Sequence, residues 1–194
     1  SDTRARSTTR VTMDVSRWNA DADAADLSLL SRVTGPVLDI GCGPGRMVRA
    51  AMDLGMDAVG IDVSAAALEM ASSLGGSFFR GSVFDRVPGE GMWQTTLLAD
   101  GNVGIGGDIP NLLARCRELL STTGEIVIEL NPDPGHEEHY FAEVADSKGN
   151  RSDSFPWAEI GIDRLSLMLS SLELQLVQFW ELDARAFCRL AKTR

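Results

Sequence analysis

Residues 37–46 read VLDIGCGPGR, a short apolar run followed by a turn that contains three glycines. Residues 37–40 are predicted to form a buried strand, and the pattern from residue 45 to residue 54 predicts a helix. Gly41, Gly43 and Gly45 can take positive φ angles and let a ligand approach the backbone closely, because they have no Cβ atom. The segment therefore predicts a strand, a ligand-binding turn and a helix in succession.

The same alternation of strand and helix continues on both sides of this segment. Further strands are predicted at residues 58–61, 77–80, 95–99, 125–130, 175–182 and 185–190, and further helices at 23–33, 65–73, 109–120 and 162–172. Alternation of this kind implies a parallel sheet, but Asp183-Ala184 is too short a connection for two parallel strands. We therefore predict an α/β fold with a doubly wound, mostly parallel seven-stranded sheet, one antiparallel strand near the C-terminus and helices on both faces.

The length and composition predict one domain. The chain has 194 residues, of which 44% are hydrophobic, enough for one buried core but too few for two full domains. We expect a flexible N-terminal arm at residues 1–22 and a single domain at residues 23–194. Within this domain, residues 131–157 are rich in proline, glycine and charge, and are predicted to be an irregular insertion in which Lys148-Gly149-Asn150 can close a short hairpin.

Charge and cysteine content narrow the class of protein. The formal net charge of −10 disfavours a nucleic-acid partner, because sequence-independent binding to phosphates requires a basic surface. No apolar run is long enough to cross a bilayer and no signal peptide is evident, so we expect a cytoplasmic protein without a membrane partner. Cys42, Cys116 and Cys188 are too far apart to form a CxxC pair, so we expect free thiols and no metal. The sequence leaves the oligomeric state open.

The spacing of the glycines and two nearby acids indicate the type of cofactor. A dinucleotide fingerprint, GxGxxG, would place its third glycine where this chain has Arg46. Asp39 precedes the first glycine by two residues, and a carboxylate there suits an ammonium group better than a pyrophosphate. Asp62 ends the next predicted strand, where a carboxylate can accept both hydroxyls of a ribose. Together these features predict a nucleoside that carries an amino acid.

On these residues the sequence resembles the class I S-adenosylmethionine-dependent methyltransferases, well over residues 37–130 and loosely over the C-terminal strands. The resemblance implies that Asp39 and Gly41 lie near the cofactor's amino group, Asp62 at its ribose and Val63 against its adenine. Ser82 occupies the position where this family commonly has an acid that faces the adenine amino group, which leaves a backbone contact from Val83. The predicted cofactor-binding residues are Asp39, Gly41, Cys42, Gly43, Gly45, Asp62, Val63, Ser82, Val83 and Asp100.

The acceptor side of the site is less defined, and we expect acceptor recognition to lie in residues 131–157 together with the N-terminal segment. Methyl transfer from a sulfonium requires mainly positioning and exclusion of water, and a general base is needed only for some acceptors. The candidates for that base are Asp100, Asp133, His136 and His139, although the two histidines also suit a solvated loop. The pattern His136-Glu137-Glu138-His139 is not HExxH, which disfavours a zinc site. The candidate substrate-binding residues are Asn102, Asp133, Phe155 and Trp157; a DGN turn and an FPW segment also occur in a subgroup of small bacterial methyltransferases.

Three functions are compatible with this sequence. The favoured one is transfer of a methyl group from S-adenosylmethionine to a small-molecule acceptor. A non-catalytic module that binds S-adenosylmethionine remains the alternative, because no single residue proves turnover. A nicotinamide-dependent oxidoreductase is disfavoured by Arg46 in place of the third glycine.

Overall fold

The computed structural model describes residues 10–13, 18 and 20–194. The described strands are β1 (Arg10–Met13), β2 (Val37–Ile40), β3 (Ala58–Asp62), β4 (Ser77–Arg80), β5 (Trp93–Leu98), β6 (Leu120–Leu130), β7 (Glu137–Val144), β8 (Phe155–Ile160), β9 (Leu174–Leu182) and β10 (Arg185–Lys192). The described helices are α1 (Ala24–Leu29), α2 (Arg46–Asp53), α3 (Ala65–Ser73), α4 (Ile109–Leu119) and α5 (Ile162–Ser166), with 3-10 segments at Asn102–Gly107 and Ser170–Leu172. No helix in these ranges is long and apolar enough to cross a membrane.

The main sheet has seven strands in the order β4-β3-β2-β5-β6-β10-β9. Strands β4, β3, β2, β5 and β6 pair in parallel, whereas β10 is antiparallel to both β6 and β9. This topology confirms the predicted α/β fold with a mostly parallel sheet and one reversed strand near the C-terminus. Because β3 lies on one side of β2 and β5 on the other, the direction of winding changes at the end of β2.

Side chains alternate along the central strands and create a hydrophobic core on each face of the sheet. Leu38 and Ile40 of β2 pack in the cluster that contains the apolar side of α4, whereas Val37 packs with α1 and α2. All four residues of β2 are buried, as expected of a strand covered by helices on both faces. The predicted placement of helices on both faces is therefore confirmed.

Several boundaries differ from those predicted. The first helix stops at Leu29 instead of residue 33, and Arg32 has a left-handed φ of 62°, which a helix cannot include. The predicted helix at 162–172 is divided into α5 and the 3-10 segment Ser170–Leu172. Strand β6 begins at Leu120, where the α4 pattern was expected to end.

The prediction of an irregular stretch at residues 131–157 is wrong over much of its length, because β7 and β8 form an antiparallel pair there. Strand β1 adds in parallel to β7, which gives a second, three-stranded sheet that we call the accessory sheet. Strand β1 also replaces part of the predicted flexible arm; residues 1–9, 14–17 and 19 of that arm lie outside the described residues. The predicted turn at Lys148-Gly149-Asn150 is present, with the Asp146 carboxylate accepting hydrogen bonds from the backbone N–H of Lys148 and Asn150.

A buried network of charges, which we call the Arg46 network, joins the carboxyl end of the main sheet to α1 and α2. Arg46 begins α2, and its guanidinium lies 3.2 Å from Asp26 of α1 and 2.6 Å from Asp100, which follows β5. Arg185 of β10 contacts Asp26 and also Glu129 of β6, each at 2.8 Å. Glu129 in turn accepts a hydrogen bond from the backbone N–H of Asp100 at 2.8 Å. Five segments of the chain are thereby held in one arrangement.

The turn between β9 and β10 generates a prediction about stability. Asp183 and Ala184 both have left-handed φ angles, 53° and 60°, as a two-residue hairpin of type I′ requires. Glycine takes this conformation without the steric penalty of a Cβ atom. We expect Ala184→Gly to raise the free energy of unfolding by about 1 kcal/mol, measured by urea denaturation. Ala191→Gly, at an ordinary strand position of β10, is the control and should lower it; equal losses in both variants would contradict the strained turn.

Candidate cofactor and acceptor site

A cavity of about 920 Å³ lies at the carboxyl ends of β2, β3 and β5, where the winding of the main sheet changes direction. Ligands of doubly wound α/β proteins bind at this point of the fold, and the volume is within the range of small-molecule sites. One wall comes from the main sheet and its loops, and the other comes from β8 and the turn that joins β7 to it. The two sheets thus line one site that is partly open to solvent.

The backbone of the glycine turn forms part of the main-sheet wall. Gly41, Gly43 and Gly45 all have positive φ angles, of 72°, 51° and 86°. A Cβ atom at Gly43 would meet no protein atom within 4 Å, whereas one at Gly45 would lie 2.7 Å from the ring of Phe78. Gly43 is therefore open for a ligand, and Gly45 is required for packing against β4.

Asp62, at the end of β3, fixes the glycine turn and faces the cavity. One carboxylate oxygen accepts a hydrogen bond from the N–H of Gly43 at 2.9 Å, and the other accepts one from the N–H of Ser64 at 2.8 Å. Each carboxylate oxygen can accept more than one hydrogen bond, so Asp62 can also receive ribose hydroxyls. Asp62, which is predicted to bind the ribose, thus also supports the glycine turn.

Asp39 lies beneath the glycine turn and is only 2% exposed, yet it lines the cavity. Burial, with the nearby charge of Asp100 adding to it, raises the pKa of Asp39 to about 7, although the guanidinium of Arg46 opposes the shift. The free protein therefore holds a carboxyl group that ionises near neutrality. A bound cation beside it would favour the ionised form.

The charged residues that line the cavity are mostly acidic. Within the described part of the chain they are Asp39, Arg46, Asp62, Asp100, Asp146 and Arg151. Arg46 is 4% exposed and is held by Asp26 and Asp100, and Arg151 forms an ion pair with the buried carboxylate of Glu143. The cavity is consequently an environment that favours a positively charged ligand.

The predicted adenine contacts lie together beside the glycine turn. Val63, Ser82 and Val83 all line the cavity, and Val63 is 66% exposed, so its side chain is available to cover a flat ligand. Cys42 also lines the cavity, but its sulfur packs against Gly60, where a Cβ atom would lie only 2.6 Å away. Burial raises the pKa of the Cys42 thiol, which keeps it protonated and makes it a packing group.

Asn102 lies in the cavity wall but holds the glycine turn. Its side-chain amide donates hydrogen bonds to the carbonyl oxygens of Ile40 and Gly41, at 3.1 and 3.0 Å. The neighbouring Ile105 also lines the cavity and lies against Gly41, where a Cβ atom would be 2.9 Å from it. The segment after β5 therefore determines the position of the glycine turn, a role that the sequence pattern did not reveal.

The accessory sheet supplies an apolar wall opposite the glycine turn. Phe155, Pro156 and Trp157 of β8 line the cavity, and the rings of Phe155 and Trp157 meet edge to face with centroids 5.8 Å apart. This placement brings two predicted substrate-binding residues to the cavity. Met13 and Trp18 of the N-terminal segment also line it, although the sequence analysis did not single out these two residues.

Three of the candidate base or substrate residues are not among those that line the cavity. His136 is hydrogen-bonded through Nε2 to the Glu159 carboxylate at 2.9 Å, and His139 contacts the carbonyl oxygen of Gly107 through Nδ1 at 3.1 Å. Asp133 accepts a hydrogen bond from the N–H of Gly135 within its own turn. Asp100 is therefore the candidate base that the fold brings to the cavity.

One group of metal-ligand type occurs in the described part of the chain, on the accessory sheet. The ligand atoms of His136, Glu138 and Glu159 lie within 4.8 Å of one another. Glu159, however, already accepts hydrogen bonds from the Tyr140 hydroxyl at 2.8 Å and the Asn131 amide at 3.1 Å. Its carboxylate is thus engaged as the centre of a polar cluster that joins residue 131 to the accessory sheet.

Comparison with known proteins finds a family model that matches part of the chain. Residues 37–124 match the model of a methyltransferase domain family, and this range contains the glycine turn, Asp62 and the turn at Ser82. A search of curated proteins finds no match to the chain.

Three solved structures of similar fold are methyltransferases. An S-adenosylmethionine-dependent methyltransferase from Bacteroides fragilis, in complex with S-adenosyl-L-homocysteine, has a TM-score of 0.76 at 18% identity, with 94% of this chain and 83% of that chain covered. The 1,6-didemethyltoxoflavin-N1-methyltransferase of Burkholderia thailandensis has a TM-score of 0.69 at 18% identity, with coverages of 92% and 82%. A glycopeptide N-methyltransferase has a TM-score of 0.69 at 14% identity, with coverages of 90% and 95%. Residues 37–124 thus match a methyltransferase domain model, and the chain has the fold of these methyltransferases.

Proposed function

We propose that this protein transfers the methyl group of S-adenosylmethionine to a small, planar and largely apolar acceptor. The observation that carries the proposal is the composition of the single cavity. Its main-sheet wall has the glycine turn with Asp39 and Asp62, and its accessory-sheet wall has Phe155 and Trp157. Cofactor and acceptor would thus meet in one cavity.

The residues of the main-sheet wall fit this cofactor. The open side of Gly43 admits close approach of a ligand to the backbone, and Asp62 has acceptor capacity left for a ribose. Asp39 and Asp100 supply negative charge where an ammonium group and a sulfonium would be bound. Val63, Ser82 and Val83 form the surface for the adenine.

The reaction requires mainly that the acceptor be positioned against the methyl group of the cofactor. When bound, the cofactor supplies an activated methyl group on a positively charged sulfur. Asp39, Gly43 and Asp62 would hold this cofactor, which would give its methyl group to a lone pair of the acceptor and keep the electron pair of the broken carbon–sulfur bond on sulfur. The accessory sheet excludes water, and its aromatic side chains orient the acceptor. This positioning raises the rate of methyl transfer by holding the two reactants close together. Where the acceptor must also lose a proton, Asp100 is the candidate group to receive it.

The acceptor class follows from the accessory-sheet wall. Phe155, Pro156 and Trp157 offer flat apolar surfaces with few rotatable bonds, which favour a planar ligand. The polar groups nearby are already engaged: the Asn150 amide holds the pKa of Asp146 below its usual value, and Arg151 pairs with Glu143. A methyltransferase of the same fold is known with bound 1,6-didemethyltoxoflavin, which supports a small-molecule acceptor.

Loss of the Asp62 charge should impair cofactor binding. We expect Asp62→Asn to weaken the affinity for S-adenosylhomocysteine at least about tenfold, since charge-assisted hydrogen bonds become neutral and one oxygen that holds the glycine turn is lost. Isothermal titration calorimetry measures this change. Asp53→Asn, on the exposed end of α2, is the matched control and should bind as the unaltered protein does. Equal affinity in both variants would refute the ribose assignment.

Cofactor binding should depend on pH through Asp39. The pKa of Asp39 is raised to about 7 in the free protein, and the ammonium of the ligand favours the carboxylate form, so binding below pH 7 must release a proton. The affinity should rise as the pH increases towards 7, by up to about tenfold per pH unit, and level off above it. Calorimetry in buffers of different ionisation enthalpy measures the number of protons that are released when the ligand binds.

Two variants test whether Asp39 is the source of the released proton. Asp39→Asn should abolish the proton release, because the amide cannot ionise. The double variant His136→Gln, His139→Gln should keep it, because neither histidine lines the cavity. Proton release that persists in Asp39→Asn would exclude this carboxyl as its source.

The acceptor wall is tested by turnover. The protein is incubated with radiolabelled S-adenosylmethionine and fractionated small-molecule extracts, and transfer of label identifies the acceptor. With that acceptor, Phe155→Leu should lower kcat/KM at least about tenfold while cofactor affinity is unchanged, because an aromatic contact is lost from the acceptor wall only. Phe179→Leu, on the exposed edge strand β9, is the matched control. Cofactor binding without label transfer to any fraction would favour the non-catalytic binding module.

A further inference from the structure

We propose that Arg115 of α4 is a positioning residue that holds the turn at residues 82–85 in the form that recognises adenine, and so makes the site selective for a 6-aminopurine over a 6-oxopurine. The proposal rests on the proposed function, because it concerns the adenine end of the same cofactor. Arg115 is not among the residues that line the cavity. Its effect must therefore pass through the turn.

Arg115 contacts the back of this turn through two backbone carbonyl groups. Its Nε donates to the carbonyl oxygen of Val83 at 2.8 Å, and its Nη2 donates to the carbonyl oxygen of Asp85 at 2.8 Å. The side chain is only 14% exposed. A planar guanidinium can hold two carbonyl groups at a fixed separation, which a lysine ammonium cannot do with the same geometry.

The turn satisfies two of its backbone N–H groups internally and leaves two others unpaired in residues that line the cavity. The N–H of Asp85 donates to the carbonyl oxygen of Ser82 at 3.1 Å, and the N–H of Phe84 donates to the Ser82 hydroxyl oxygen at 3.2 Å. The N–H groups of Ser82 and Val83 have no hydrogen-bond partner in the described part of the chain, and both residues line the cavity. Arg115 thus fixes the peptide that follows Val83, and the internal bonds fix the remainder.

A second layer of contacts holds the guanidinium itself. Glu90 pairs with Nη2 of Arg115, and Glu118 of the next helical turn pairs with Nη1 at 3.1 Å. Glu90 also accepts a hydrogen bond from the N–H of Val87 at 2.9 Å, so the chain that follows the turn is anchored to the same arginine. These contacts make the orientation of Arg115 specific rather than incidental.

The orientation of these N–H donors determines which base is preferred. Adenine presents an unprotonated N1 that accepts a hydrogen bond, whereas hypoxanthine carries a hydrogen on N1 and would face the N–H of Val83 with a second donor. A buried donor left without an acceptor costs binding free energy. A turn held by Arg115 therefore discriminates between the bases, and a turn released from it does so less.

The experiment compares S-adenosylhomocysteine with S-inosylhomocysteine by calorimetry. The unaltered protein should bind the adenosine ligand at least about tenfold more tightly, the effect of one unsatisfied donor. In Arg115→Met this preference should collapse, because affinity for the adenosine ligand falls while affinity for the inosine ligand stays nearly constant. Arg115→Lys should restore part of the preference. Arg117→Met, on the same helix but paired with Glu173, is the control and should keep it.

The outcomes separate this proposal from a general loss of structure. Equal weakening of both ligands in Arg115→Met would show that Arg115 only supports the fold, and would overturn the proposal. Should that variant not fold, Glu90→Gln at the exposed partner decides: a reduced preference supports the positioning role, and an unchanged preference overturns it. Failure of the unaltered protein to bind S-adenosylhomocysteine at all would instead overturn the proposed function.

Discussion

The arrangement of the site depends on one buried guanidinium, that of Arg46, between the carboxylates of Asp26 and Asp100. Loss of one partner from a buried ion pair typically costs about 3 to 5 kcal/mol, because the remaining charge is left without compensation. Arg46 is also the first residue of the helix that follows the glycine turn, so the network determines where that helix begins relative to β5 and β6. The same residue that disfavours a dinucleotide thus serves as the structural anchor of the cavity.

The acidity of the cavity has opposite consequences for the free and the ligand-bound protein. Because burial raises the pKa of Asp39 to about 7, its contribution to the stability of the free protein is fully present below its ordinary pKa and is lost as the pH rises through about 7. A cationic ligand reverses the preference by favouring the ionised carboxylate. The ionised Asp39 carboxylate is therefore unfavourable in the free protein, and a cationic ligand that relieves this unfavourable charge binds more tightly.

The two walls of the cavity come from parts of the chain with different structural constraints. The main-sheet wall belongs to strands that are buried on both faces, such as β2, and its backbone positions are set by core packing. The accessory sheet packs on the core through Ala158 and Ile160 of β8, and it is also held by polar contacts, including the Glu159 cluster and the contact of His139 with Gly107. In the function proposed above, cofactor binding is assigned to the main-sheet wall and acceptor recognition to the accessory-sheet wall.

The sequence alone determined the α/β class, the reversed strand and the glycine turn, because each of these depends on local features of the sequence. Hydrophobic periodicity indicates which side of one helix or strand is buried. The spacing of Gly41, Gly43 and Gly45 indicates the backbone conformation of the turn. The two-residue link at Asp183 allows only antiparallel pairing. Only the tertiary structure decided the accessory sheet, because β7 carries many polar residues and its pairing with β1 joins positions far apart in sequence. It also decided that His136 and His139 are not among the residues lining the cavity and that Arg46, Asn102 and Arg115 support it. Those roles arise from contacts between distant segments, and no pattern within a single segment records which distant partner a side chain meets.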